Sequence, residues 1–195
     1  VPKTIKLAAI SPTHLNLNGD LGNLVVLKKR LELIGVHSEI VFLNGDEDLR
    51  KFDFVLVGHG SKSAWTELLS LRPSLLKQLE SFSREGGALL AVASAADLLQ
   101  PLLTGDEVLS GDWVSEFVDV AGVVGYLNTT SKAPLFQWTR NTLLTQLHGP
   151  VLAKNPSLAD EIIERNGWIG ESSAPLEIAE LDELAKQSRK IAFEH

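Results

Sequence analysis

Short apolar runs alternate along this chain with amphipathic stretches, and that alternation limits the folds open to it. "TIKLAAI" (4–10) is a brief run of strand formers, too short for a helix and apolar throughout. "NLVVLKKRLELIG" (23–35) places apolar residues at 24, 27, 31 and 34 with charges between them, the pattern of a helix that Gly35 ends. The rhythm repeats. "HSEIVFL" and "DFVLVGHG" (53–60) read as strands, and "SLLKQLESFSREGG" (74–87) as a helix. "ALLAVA" (88–93) is another buried strand, and "SAADLLQPLL" is helical up to Pro101. "NTLLTQL" is strand-like, "PSLADEIIERNG" (156–167) starts a helix on proline, and "PLEIAELDELAKQSRKIA" (175–192) is a closing helix.

Strands that alternate with helices, and are apolar on both faces, predict a mostly parallel sheet covered on both sides. The expected architecture is a flavodoxin-like, three-layer α/β/α fold in one domain over 1–195. Residues 104–140 are the least regular stretch, the place for an inserted hairpin or variable edge. Composition permits this: 44% of the 195 residues are hydrophobic and 22% charged, enough apolar side chains for a sizeable core. The net charge of −7 argues against nucleic acid or an anionic membrane as main partner. No apolar run approaches the roughly 20 residues of a membrane span. The first residues show no long apolar segment of a signal peptide, and the absence of Met implies a processed, trimmed or altered chain. His195, at the terminus, fits a tag remnant. The chain has no Cys, which excludes disulfides, thiolate metal sites and a cysteine nucleophile, and fits a cytoplasmic location. The five histidines lie far apart with no metal-ligand spacing, so neither metal nor cofactor is expected.

In open α/β sheets ligands sit beyond the carboxyl ends of the strands. Four features fall at that edge: the 11–20 loop, Gly58–Gly60, Ala93–Ala96 and His148. Gly58 and Gly60 either form a tight turn, with His59 a partly exposed loop residue, or bring backbone N–H groups to an oxyanion. "AVASAAD" (91–97) has the small side chains of a strand-to-helix nucleophile elbow, with Ser94 its hydroxyl. Ser94 serves equally as a helix N-cap, with Asp97 in the favourable first turn. In "LNLNGDLGN" (15–23), Asn18-Gly19 is a turn dipeptide and Asp20 a candidate cap for the next helix. His148, followed by Gly149 and Pro150, is an ordinary loop histidine or a general base.

Two segments resemble the CobB/CobQ-like class I glutamine amidotransferases, and within them the GatD-like amidotransferase subunits of lipid II isoglutaminyl synthases. Asn16, Leu17, Gly19, Asp20, Gly22 and Asn23 match that family's Asn-Leu-Tyr-Gly-Asp-Arg-Gly-Asn. "TQLHGPVLAKNPSLAD" resembles its Thr-Tyr-Leu-His-Gly-Pro-Leu-Leu-Pro-Lys-Asn-Pro-x-Leu-Ala-Asp, which is dense and specific. The resemblance runs to about residue 165. It implies glutamine hydrolysis by a cysteine on the elbow, with His148 at the catalytic histidine position and the ammonia passed to a synthetase partner.

The departures are concentrated at the chemistry. The family elbow is Val/Ile-Cys-Gly-Gly-Tyr-Gln-Leu-Leu, and here it is Val92-Ala93-Ser94-Ala95-Ala96-Asp97-Leu98-Leu99. The nucleophile position is Ala93. A glutamine-holding stretch aligns with Gly125–Thr130, keeping Asn128 but lacking the family's Glu, His and Arg. A single Cys→Ala exchange would not account for Ser94–Asp97 or for the losses around Thr129. The expected molecule is an amidotransferase-like domain without glutaminase activity. It would bind or regulate a Mur ligase-like or other synthetase subunit in cell-wall precursor or cobyrinate-type synthesis, with a small amide as ligand. The alternative is a hydrolase using a Ser94–His148 dyad.

Overall fold

The computed structural model describes residues 3–170 and 174–194. His195, read above as a tag remnant, lies outside the described residues.

The four central strands of the main sheet send alternate side chains to opposite sides, and both sides are buried. Strand β1 (Ile5–Ile10) puts Leu7 and Ala9 into one core and Ala8 and Ile10 into the other. The same division holds for β3 (Phe54–Val57), β4 (Ala88–Val92) and β8 (Thr142–Thr145). With β2 (Ser38–Leu43) and β7 (Phe136–Thr139) they form a six-stranded sheet ordered β2-β1-β3-β4-β8-β7. Only β7 runs antiparallel. Helices α1 (Gly22–Leu33) and α6 (Pro156–Arg165), with the short α5 (Val151–Lys154), cover one face. Helices α2 (Lys62–Leu71), α3 (Leu75–Arg84) and α4 (Ser94–Thr104) cover the other. This is a flavodoxin-like α/β/α arrangement with a mostly parallel sheet.

A second, antiparallel sheet is ordered β5-β6-β9, from β5 (Ser110–Val120), β6 (Val123–Ser131) and β9 (Leu147–His148). Residues 104–140 thus hold a long hairpin, β5–β6, before the chain returns through β7. Because β9 follows β8 after a single residue, His148 lies just past the main sheet's last parallel strand and belongs to the other sheet, opposite Tyr126.

Three local expectations differ from the structure. Helix α4 continues through Pro101 to Thr104, because the proline falls in the last turn, where little helix remains to be disrupted; Gly105, at φ 83°, closes it. Asp20 does not cap α1 through its side chain, since Leu21 is the cap residue and the carboxylate turns inward. Ser94 is not an N-cap: Ala93 precedes the helix, and the Ser94 hydroxyl bonds elsewhere. Helix α2, left without an element above, is short and buries only Trp65 and Leu68 deeply, so its apolar period is weak.

The closing helix α7 (Pro175–Glu194) packs back on α1, α5 and α6. Its anchor is Arg30, 4% exposed on α1. The guanidinium donates to both oxygens of Asp160 at 2.6 and 2.5 Å and to Asp182 of α7 at 2.8 Å. The two carboxylates remain partly solvated, so Arg30→Met should cost about 2 kcal/mol, below the 3–5 of a fully buried broken pair. Urea unfolding measures the loss, and limited proteolysis should cut first within 174–194.

Candidate functional site

The two family-like segments pack directly on each other. Asn23, fully buried at the start of α1, donates to the Asp20 carbonyl (2.9 Å) and the Gly149 carbonyl (3.3 Å) and accepts from the Leu152 N–H (3.0 Å). Gly22 is required by Pro150, since a Cβ at 22 would lie 2.7 Å from the proline Cβ. Asn155 extends the junction to the second sheet. Its side chain accepts from the Val124 N–H (2.8 Å) and donates to the Val124 carbonyl (2.7 Å), pairing with that backbone as a strand would. Much of the dense motif is therefore a hydrogen-bonded splice between chain segments about 130 residues apart.

Above this splice stands the elbow. Ala93 links β4 to α4 at φ 49°, ψ −110°. A residue with a Cβ is strained there by on the order of 1–3 kcal/mol, and such strain persists only where its surroundings hold it. The Ala93 N–H is fixed by the Thr145 carbonyl at 2.7 Å, and its own carbonyl accepts from Asp97 at 3.0 Å. The chain thus has a strained strand-to-helix elbow that carries only a methyl group.

Three amide donors around the elbow are occupied, those of His59, Gly60 and Ser94. The Ser94 N–H donates to His59 Nδ1 at 3.3 Å. The Gly60 N–H donates to Ser94 Oγ at 3.0 Å, and the His59 N–H to Asp20 Oδ2 at 2.7 Å. Ser94 Oγ also accepts from Trp65 Nε1 at 2.8 Å and donates to the Gly60 carbonyl at 3.0 Å. Among the described residues no hydrogen bond joins Ser94 to His148, and a dyad needs that hydroxyl to leave Gly60 and Trp65. Gly58 and Gly60 serve packing here. A Cβ on Gly58 would run into the Leu15 carbonyl, and one on Gly60 would sit 2.6 Å from the Leu15 side chain. The turn admits the 11–15 loop where a ligand could otherwise approach.

His59 bridges the elbow and His148. Its ring meets His148 edge to face, with centroids 4.7 Å apart. With Nδ1 accepting from Ser94, the proton of the neutral ring sits on Nε2. Burial, then the neighbouring His148, lowers the His59 pKa from 6.5 to about 4. Asn18 donates to His148 Nδ1 at 2.5 Å, and His148 Nε2 is buried without a partner. Burial also lowers the His148 pKa, opposed by the Asn128 backbone and the Asp97 charge. Asp97 itself accepts from Ser131 (2.6 Å) and Gln146 (2.8 Å), tying α4 to the second sheet. A cleft of about 210 Å³ opens beside His148, lined by Asn18, Tyr126, Asn128 and Gly149.

Of the residues singled out from sequence, Gly19, Asp20, Gly22, Asn23 and His148 lie at the splice. Gly58, Gly60, Ala93 and Ser94 lie around the elbow, and Asn128 lines the cleft. His59, Asn18, Trp65 and Tyr126 were passed over as site residues. The flanking glycines at a strand's end could have flagged His59; the other three need the folded geometry. Among the described residues no group of three or more His, Cys, Asp or Glu is placed to hold a metal, and no helix is long and apolar enough to cross a membrane.

Asp20 and His59 oppose each other in pH. Burial, only partly offset by the His59 and Gly149 backbone, raises the Asp20 pKa from 3.8 to about 6, and one carboxylate oxygen has no partner. Its folded pKa exceeds the unfolded value, so its stabilising contribution is present below 3.8 and lost as pH rises through 6. The His59 contribution is present above 6.5 and lost as pH falls through 4. Asp20→Asn removes the first, so its stability should climb between pH 4 and 6.5 more steeply than the parent's. The expected gain in slope totals about 3 kcal/mol over that window, read from urea midpoints. Equal slopes would contradict the burial of Asp20. Ala93→Gly should raise stability by about 1 kcal/mol by relieving φ, seen as a higher Tm.

Comparison with known proteins agrees with this geometry at the level of fold. No family model matches the chain. The GatD subunit of lipid II isoglutaminyl synthase (glutamine-hydrolyzing) from Streptococcus pneumoniae is 26% identical over 100 residues, 50% of this chain and 38% of that protein. The match thus spans well under half of the relative's length. A glutamine amidotransferase from Thermotoga maritima superposes with a TM-score of 0.52 at 13% identity, over 97% of this chain and 94% of that one. A DJ-1 superfamily protein from Agrobacterium tumefaciens superposes at 0.50 and 13% identity, over 95% and 100%. The chain has the class I glutamine amidotransferase-like fold, which the DJ-1 superfamily shares, and its sequence is similar over half its length to a GatD subunit.

Proposed function

We propose that this chain is a single CobB/CobQ-like, GatD-like amidotransferase domain without glutaminase activity, acting as a binding or regulatory partner of an amidating synthetase. The observation that carries it is the occupied elbow: Ala93 in the strained position, with the His59, Gly60 and Ser94 amides each already bonded. Hydrolysis of an amide needs a nucleophile and donors free to receive the oxyanion. Loss of the nucleophile alone costs about 10⁶ in kcat in hydrolytic enzymes. The GatD similarity supports a Mur ligase-like partner in cell-wall precursor synthesis and, with it, a cytoplasmic setting. The cleft beside His148, flanked by the side-chain amides of Asn18 and Asn128, suits a small amide ligand, since a carboxamide can pair with both.

Ammonia release from glutamine, measured with and without the synthetase, tests the reading. The expected result is a rate at background in both, unchanged by His148→Ala. Turnover that His148→Ala and Ser94→Ala both abolish would instead establish the serine dyad.

A further inference from the structure

The second sheet ends on an open edge. Strand β5 pairs with β6 along an unbroken register from Val114 to Val120, and among the described residues no other strand pairs with it. An edge of that length presents a row of free N–H and C=O groups. Natural edges are protected by charged side chains, proline, bulges or shortness. Here the strand is long and without lysine or proline; its protection is a register shift near Ser110 and the carboxylates of Asp112, Glu116 and Asp119, which disfavour a second acidic edge but not a basic one. Lys132, from β6's end, lies over Gly111 there and leaves the register beyond uncovered.

The edge has a definite chemistry. From Glu85 to Ser131 the sequence contains no Lys or Arg. Asp106, Glu107, Asp112, Glu116 and Asp119 line the approach and the strand, all exposed. Among them Leu109 and Trp113 stand 61% and 65% exposed. Self-pairing would bring acidic side chains of one copy opposite those of another, which is unfavourable. The edge also communicates with the cleft: Ser115 bonds the Tyr126 hydroxyl at 2.6 Å, and Tyr126, beside His148, lines the cleft.

We propose that the outer edge of β5 is the docking site for an extended, Lys- or Arg-bearing segment of a partner protein, added as a fourth strand. Main-chain pairing supplies the affinity, the acidic row selects basic side chains, and Trp113 covers an apolar one. The incoming strand would lie three strand spacings, about 14 Å, from β9 and His148. The proposal takes from the reading above only the existence of a partner; it holds whether or not the elbow hydrolyses glutamine, and the ammonia assay does not bear on it.

An acetylated peptide of alternating Lys and Val serves as the probe, with hydrogen exchange of the β5 amides and tryptophan fluorescence as readouts. Binding should protect amides within 114–120 and shift the Trp signal, a shift that Trp113→Ser removes. The same peptide N-methylated on its pairing edge, which keeps the charge but loses the hydrogen bonds, should bind at least about tenfold more weakly. Asp112→Lys with Glu116→Lys, both at exposed positions, should weaken the parent peptide similarly. No binding, equal binding of the methylated peptide, or protection confined to other strands would overturn the proposal. So would self-association that protects the same amides without peptide.

Discussion

The fold around the site depends on one junction, the mutual hydrogen bonding of the 16–23 loop and the 148–155 turn. Asn23 bonds the Asp20 and Gly149 carbonyls and the Leu152 amide, and Asn155 carries the connection on to β6. A buried amide with three partners is costly to replace, because each bond lost leaves a backbone group unpaired. The junction holds the start of α1 against the end of the last parallel strand. That fixes His148 beside the carboxyl ends of β3 and β4.

Structure and chemistry separate at this point. The segments that keep their amidotransferase-like sequence are those that build the junction. On the proposed function, the segments that diverge are those that would hold and attack glutamine. The elbow backbone persists at Ala93 because Thr145 and the first turn of α4 fix it, whatever side chain it carries. The Ser94 N–H donates to His59, and the Gly60 N–H to Ser94. On the proposed function, closure of this kind goes further than the lack of a thiol. It also leaves buried ionisable groups, Asp20 and the two histidines, whose burial disfavours their charged forms.

The layered fold was legible because a parallel sheet buried on both faces leaves continuous apolar runs such as "FVLV" and "ALLAV", separated by helical spacing. Helix α2 was missed because Trp65 and Leu68 alone give too little period. At the site, glycine positions were readable but their reason was not. Gly58 and Gly60 look like ligand cradles in sequence and are spacers for the Leu15 loop in the fold. Ser94 looks like a cap or a nucleophile, and its hydroxyl is held by Trp65 and Gly60, a relation set by the packing of α2. The strain at Ala93 was legible only as the run of small residues that a tight strand-to-helix elbow needs.

On the proposed function, the site is silent because it is closed as well as because it lacks a thiol. Ala93→Cys supplies a thiol at the elbow and leaves the occupied amides as they are. Ammonia release from glutamine by this variant, with the synthetase partner present, should stay at the level of the Ala93 parent. Sustained turnover by the cysteine variant would contradict the account, showing the donors to be available and the thiol the only part missing.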